Sequence, residues 1–157
     1  RSLYLKQHKR ISKNKNAFNR IYGIYSDQSY GLGEKWFKNK ICLDAGCGNF
    51  GALTVRFSKL GCKKIYACDL GKKWIDPMKR SLIERGIKLK NIDFNAGDIL
   101  IHNYKKNFFD FVAVNGVLPH LKNIKEIQKG FAEGAKVCKK GGYYFTSYGV
   151  PEVWSKQ

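Results

Sequence analysis

The sequence predicts an α/β protein with a doubly wound, mainly parallel sheet. Short apolar runs alternate along the chain with segments of helical periodicity, and glycines separate the two kinds of segment. This alternation favours right-handed crossovers, which place helices on both faces of a parallel sheet. The 157 residues, 43% of them hydrophobic, suffice for one domain with a core of its own.

Five strands are predicted. The first, Ile-Cys-Leu-Asp-Ala at 41–45, shows no polar alternation, as expected of a strand buried on both faces. The run Phe-Asp-Phe-Val-Ala-Val-Asn at 109–115 is the most apolar. The complete set comprises residues 41–45, 64–70, 91–96, 109–115 and 143–148.

Two helices are predicted between the first three strands. The first covers 52–60, with apolar residues at helical spacing, and Gly61 ends it. The second covers 74–85, where Pro77 is tolerated only in the first turn, and Gly86 ends it.

A third helix is predicted after the fourth strand. Asn123 and Glu126 form a capping box at its start, and the glycine pair at 141–142 is expected to end it. Five apolar residues share one face of this helix and are expected to be buried: Ile124, Ile127, Phe131, Ala135 and Cys138.

The first forty residues differ in composition from the rest. Residues 1–16 are rich in charge, and 18–37 contain Tyr22, Tyr25, Tyr30 and Trp36. We therefore expect a basic arm and an aromatic cap over 1–40, followed by a ligand-binding domain over 41–157. The aromatic set suits ordinary packing and a substrate lid equally well.

Composition excludes several classes of protein. No run of 18 apolar residues occurs, so no membrane-spanning helix is expected. The five cysteines form no C-x-x-C pair and lie mostly in apolar segments, which favours buried free thiols and a cytoplasmic protein. Three histidines without ligand-like spacing predict no metal site. The net charge of +18 suits nucleic acid or another polyanion as a partner, or reflects a lysine-rich composition alone.

Three acidic residues lie at the ends of predicted strands: Asp44 and Asp69 close the first two strands, and Asp98 follows the third. Ligands of such sheets bind beyond the carboxyl ends of the strands. The turn after the first strand also carries G-x-G-x-x-G at 46–51, which exposes backbone amides to a ligand. A carboxylate at Asp44 would repel a pyrophosphate but attract the sulfonium and ammonium groups of S-adenosylmethionine. The acids therefore favour S-adenosylmethionine over a nicotinamide dinucleotide.

The motifs resemble those of class I S-adenosylmethionine-dependent methyltransferases, in the small-molecule, type 11-like branch. The resemblance spans about 41–148 and implies a Rossmann-like methyltransferase fold. Five motifs carry it: LDAGCGNFG at 43–51, ACDL at 67–70, NAGDI at 95–99, FDFVAVNGVLPH at 109–120 and KKGGY at 139–143.

The resemblance implies roles for individual residues toward S-adenosylmethionine and its product, S-adenosylhomocysteine. Asp44 would orient the loop whose Gly46, Cys47 and Gly48 backbone faces the methionine moiety. Asp69 would accept from both ribose hydroxyls, beside Leu70 on the adenine, while Asp98 and the amide of Ile99 would read the adenine edge. Two further side chains complete the set: Asn115 near the transferred methyl and Tyr30 at the methionine carboxylate.

The resemblance also implies a methyltransferase that acts on an O, N or C atom of a small molecule by in-line displacement. Positioning supplies most of the catalysis in such a reaction, so no catalytic group is required. His120 is a candidate general base.

Three alternatives remain open at this point: an RNA-directed methyltransferase that uses the basic surface, a nicotinamide-dependent oxidoreductase, and a non-catalytic cofactor-binding module. Relatives usually continue beyond the fifth strand, so we expect the domain to be incomplete at its C-terminal end. If the chain is complete, a dimer through the edge of the fifth strand is expected.

Overall fold

The computed structural model describes residues 16, 19, 22, 23 and 30–147. Five strands form one sheet in the order β3-β2-β1-β4-β5, and every neighbouring pair is parallel. The prediction of a doubly wound parallel sheet is confirmed. The predicted arm at 1–16 lies outside the described residues except for Asn16, and Tyr25 also lies outside them.

The first four strands lie close to their predicted positions. β1 and β4 match the predicted bounds, while β2 ends and β3 begins within one residue of them. The strands are β1 (Ile41–Ala45), β2 (Lys64–Asp69), β3 (Ile92–Ala96), β4 (Phe109–Asn115) and β5 (Cys138–Ser147).

Two helices pack on one face of the sheet. Helix α1 (Ala52–Lys59) follows the glycine turn, and helix α2 (Lys72–Glu84) follows β2. Because α2 begins two residues earlier than predicted, Pro77 lies in its second turn rather than its first. The missing amide of a proline there leaves one carbonyl of the preceding turn without its helical donor.

Helix α3 (Ile124–Val137) covers the other face, and its predicted end and buried face were both wrong. The helix stops at Val137, and the residues predicted as its last turn belong to β5. Its buried residues are Gly130, Gly134 and Val137, whereas Ile124 and Phe131 are exposed.

Two apolar clusters hold these layers together. Phe37, Phe57 and Phe111 centre the cluster beneath α1 and α2. Leu43, Val112 and Val137 belong to the cluster beneath α3. Within the described residues, no helix has both the length and the apolar character needed to cross a bilayer.

Candidate cofactor cleft

A cleft of about 950 Å³ opens at the carboxyl ends of β1, β2, β3 and β4. Right-handed crossovers bring the loops that follow these strands to one edge of the sheet. Seven of the eleven sequence-predicted site residues line the cleft: Gly46, Asp69, Leu70, Asp98, Ile99, Asn115 and His120.

The glycine turn after β1 is held against β2. The amides of Gly46 and Cys47 both donate to the Cys68 carbonyl, over 2.7 and 3.1 Å. Gly46 has a φ of 87°, and a Cβ there would lie 2.1 Å from Cγ2 of Val117. Glycine is therefore required at this position both by the backbone conformation and by the close approach of Val117.

Asp69 ends β2 and is held from two sides. Its Oδ2 accepts from the Gly48 amide over 2.8 Å, and its Oδ1 accepts from the Leu70 amide over 2.7 Å. A carboxylate oxygen can accept more than one hydrogen bond. Leu70 is 55% exposed at the cleft wall, so an apolar surface lies beside a half-buried carboxylate.

Asp98 follows β3 on the same edge. Its Oδ1 accepts from the Leu100 amide over 2.9 Å, which fixes the carboxylate at the cleft wall. The next residue, Ile99, is buried and also lines the cleft. A carboxylate thus stands beside an apolar side chain here, as it does at Asp69 and Leu70.

Asp44 lies beneath the cleft rather than on its wall. Its side chain is buried, and its Oδ2 accepts from the Thr54 hydroxyl over 2.6 Å. Burial raises the pKa of Asp44 to about 7, although the Thr54 hydrogen bond opposes the shift. The expectation of a full negative charge at this position is therefore corrected, because Asp44 is partly protonated at neutral pH.

Asn115 and His120 form the wall after β4. The Ser147 hydroxyl donates to Oδ1 of Asn115, and the Gly116 amide donates to that hydroxyl over 3.0 Å. His120 ends a short 3-10 turn (Leu118–His120) and is exposed in the cleft. The wall after β4 thus presents a histidine side chain to the cleft.

Three more of the predicted site residues are not on the cleft wall. The Tyr30 ring packs on Phe111 and Phe145, with centroid distances of 5.1 and 4.6 Å. Cys47 is buried, and burial raises the pKa of its thiol. Gly48 is linked to the cleft wall by the hydrogen bond that its amide donates to Asp69. Their cofactor contacts stay predictions.

Sequence reasoning missed several residues of the cleft wall. Lys73 and Trp74 lie in the first turn of α2, and Glu126 lies in the first turn of α3. Their placement in first turns directly after the connections from β2 and β4 is the signal that could have identified them. Sequence reasoning also missed three wall residues in the segment after β4: Val117, Leu121 and Lys122.

The cleft is acidic although the chain is strongly basic. Its wall carries three carboxylates, those of Asp69, Asp98 and Glu126, against the two ammonium groups of Lys73 and Lys122. No group of three or more potential ligands that could hold a metal ion occurs among the described residues. The carboxylates outnumber the ammonium groups of the wall by one, which favours positive charge in a ligand.

The chain is similar to known proteins in sequence and in fold. The model of the family described as "Methyltransferase domain" matches residues 43–146. No curated protein matches the chain.

Many solved structures share the fold. A Methanococcus maripaludis protein assigned as an S-adenosyl-L-methionine-dependent methyltransferase is 22% identical, with a TM-score of 0.72 over 94% of this chain and 66% of that one. An S-adenosylmethionine-dependent methyltransferase from Clostridium acetobutylicum is 22% identical, with a TM-score of 0.63 over 83% of this chain and 56% of that one. The YcgJ protein of Bacillus subtilis is 22% identical, with a TM-score of 0.62 over 74% and 48%. The chain thus spans 48% to 66% of the length of these structures.

Proposed function

The chain belongs to the methyltransferase domain family, and from this membership we propose that it transfers a methyl group from S-adenosylmethionine to a small-molecule acceptor. S-adenosylmethionine is the cofactor that the family implies.

The residues of the cleft fit this cofactor. Two half-buried carboxylates, each beside an apolar side chain, suit a ligand with hydroxyl and amino donors on flat or apolar groups. The glycine loop at 46–51 contains no lysine or arginine that would favour a pyrophosphate. Because Asp44 is partly protonated, we assign the attraction of the cofactor's positive groups mainly to Asp69. The carboxylate of Asp69 lies against the glycine loop at Gly48.

When bound, the cofactor supplies a methyl group already activated by a sulfonium centre. We assign Asp69 to the ribose hydroxyls and Asp98 to the adenine amino group, with Leu70 and Ile99 as the apolar contacts. Asn115 is assigned to the region of the methyl group, where its Oδ1 is oriented by Ser147. Each residue is assigned the role that the family's motifs imply for the matching position.

The shape and charge of the cleft support a small-molecule acceptor. A volume of about 950 Å³ lies within the range of pockets that enclose small ligands, which is roughly 300 to 1,000 Å³. Val117, Pro119 and Leu121 give the wall after β4 an apolar surface. Positioning of the acceptor against this wall supplies the main catalytic effect, and His120 is the side chain that can accept an acceptor proton.

RNA as the methyl acceptor is the second candidate, because the net charge of +18 favours a polyanion. The three carboxylates at the cleft wall oppose the entry of a phosphate backbone at that place. The acidic cleft in a basic chain is the observation that favours the small molecule.

Incubation with S-adenosylmethionine labelled in its methyl group tests the proposal directly. One arm contains a panel of small alcohols, amines and carbon acids, and the other contains total RNA. Label in the small molecules is the expected result. Label in RNA alone would favour the second candidate, and calorimetric binding of S-adenosylhomocysteine without transfer to either would indicate a non-catalytic module.

A further inference from the structure

Lysines precede or begin every strand of the sheet. Because all five strands are parallel, their starts lie on one edge, opposite the cleft. We name this set the lysine edge. It consists of ten residues, two for each strand in turn: Lys38 and Lys40, Lys63 and Lys64, Lys88 and Lys90, Lys105 and Lys106, and Lys139 and Lys140.

Most of this charge is uncompensated. Lys64 pairs with Asp93, and Lys139 pairs with Asp110, each over 2.7 Å. Glu84, at the end of α2, is a third acid at this side of the sheet. The other eight lysines make no ion pair in the described part of the chain.

Part of the lysine edge forms a shallow, open depression of about 520 Å³. Lys63, Lys64, Lys88 and Lys90 line it, and Ser58 adds a hydroxyl. Four ammonium groups around one open depression suit the phosphate groups of a polyanion.

Favourable placement of cations at helix ends does not account for this pattern. The macrodipole favours lysines in the last turn of a helix, which fits Lys59 and Lys136. None of the ten lysines of the edge lies in an α-helix; they lie in the connections or in the first residues of strands. The macrodipole therefore does not explain the ten lysines of the edge.

We propose that the lysine edge binds the phosphate backbone of nucleic acid, without reading its sequence and separately from methyl transfer. Lysines act as point charges toward phosphate groups, and the lysine edge contains no arginine to add planar, bidentate contacts. The edge spans four strand intervals, or about 19 Å, enough for several phosphates.

A membrane surface is less well matched. Of the six large hydrophobic side chains that are exposed in the described residues, two lie near this edge. Ile83 lies near the end of α2, and Tyr143 lies in register with Cys42, the second residue of β1. An interfacial anchor would need more apolar side chains beside the lysines.

Binding of nucleic acid at the lysine edge is distinct from delivery of RNA to the cleft as a methyl acceptor. Strands of five to seven residues separate the edge from the cleft by about 17 to 23 Å. A backbone held at the lysine edge therefore localises the protein on nucleic acid while the cleft remains open to another acceptor.

Anisotropy of fluorescein-labelled RNA and DNA, single-stranded and duplex, tests the inference with the full 157-residue chain. The test variant is Lys63→Gln/Lys88→Gln/Lys90→Gln. The matched control is Lys72→Gln/Lys125→Gln/Lys129→Gln, which removes the same charge from exposed helical positions away from the edge. Calorimetry with S-adenosylhomocysteine verifies that the cleft of each variant is intact.

The wild-type chain is expected to bind with an affinity that falls steeply with salt. In the test variant the slope of log K against log salt should be shallower by about 2, and the Kd in 50 mM salt about tenfold higher. The control should stay close to wild type. Equal weakening by both variants, absence of nucleic-acid binding in 50 mM salt, or binding only to phosphatidylserine vesicles would overturn the inference. None of these results bears on methyl transfer.

Discussion

The Gly48 amide donates to Oδ2 of Asp69 over 2.8 Å and joins the glycine turn after β1 to the acid that ends β2. The two residues are 21 positions apart in the sequence, yet β1 and β2 are neighbours in the sheet. One carboxylate thus shapes the loop and forms the cleft wall. A cofactor that binds Asp69 meets a loop already held in position.

Asp69→Asn tests this double role. The amide side chain keeps the size of the carboxylate but presents a donor where both oxygens now accept from backbone amides. Hydrogen bonds to a charged group contribute about 1.5 to 3 kcal/mol each, so affinity for S-adenosylhomocysteine should fall by about 10- to 100-fold in calorimetry.

Asp93→Asn is the matched control for Asp69→Asn. Asp93 lies at the opposite end of the sheet and pairs with Lys64. Its replacement should leave cofactor affinity unchanged. Equal affinities of the Asp69→Asn variant and the wild type would remove Asp69 from the site.

The protonation of Asp44 makes stability depend on pH. The pKa of its carboxyl is 3.8 when exposed and about 7 in the folded chain. Between these values the unfolded chain loses its proton and the folded chain keeps it, so this contribution is full below pH 4 and is lost as the pH rises through 7.

Asp44→Asn should abolish that dependence while its side-chain oxygen still accepts from Thr54. We expect the free energy of unfolding of the wild type, relative to this variant, to fall by about 2 to 3 kcal/mol between pH 5 and pH 8. Urea unfolding at the two values measures it. Asp76→Asn, at an exposed position of α2, serves as the control. A constant difference between wild type and Asp44→Asn would contradict the buried titration.

Gly46→Ala should destabilise the fold strongly. The positive φ costs about 1 to 2 kcal/mol, and the overlap with Val117 adds about 1 to 3 kcal/mol. Gly48 also has a positive φ, but a Cβ there would meet nothing within 4 Å, so Gly48→Ala should carry only the first cost.

A double-mutant cycle with Val117→Ala separates the two costs at Gly46. Removal of the valine methyls should recover the overlap part in Gly46→Ala/Val117→Ala, as measured by urea unfolding. Strict additivity of the two substitutions would show that Val117 does not restrict position 46.

His120→Asn tests the proton acceptor. With the acceptor molecule that the labelled panel identifies, kcat should fall about 100-fold or more and the acidic limb of the pH-rate profile should disappear. Affinity for S-adenosylhomocysteine should not change. His102→Gln, at a buried histidine outside the cleft, should keep the limb. Persistence of the limb in His120→Asn would exclude His120 as the base.

The sequence pattern predicted the first four strands well because each is a short apolar run between clear breaks. The pattern predicted the end and the buried face of α3 wrongly, because hydrophobic periodicity gives no weight to small residues. A Cβ at Gly134 would lie 2.3 Å from the Tyr144 ring, so close packing on the sheet selects the glycine face. The more apolar residues Ile124 and Phe131 then turn outward.

The candidate site was predictable where it depends on strand ends. Asp69 and Asp98 follow strands whose order brings them to one cleft. The protonation of Asp44 was not predictable, because it depends on how deeply α1 and the glycine turn bury that carboxyl. Trp74 was missed because the sequence motifs single out strand ends, whereas Trp74 reaches the cleft from the first turn of the helix that follows β2.

Calorimetry of the wild-type chain with S-adenosylhomocysteine and with reduced nicotinamide dinucleotide, alone and in competition, determines which of the two ligands the cleft binds. We expect S-adenosylhomocysteine to bind with one-to-one stoichiometry, with no displacement by the dinucleotide. Binding of the dinucleotide with no heat from S-adenosylhomocysteine would show that the cleft is not a site for S-adenosylmethionine.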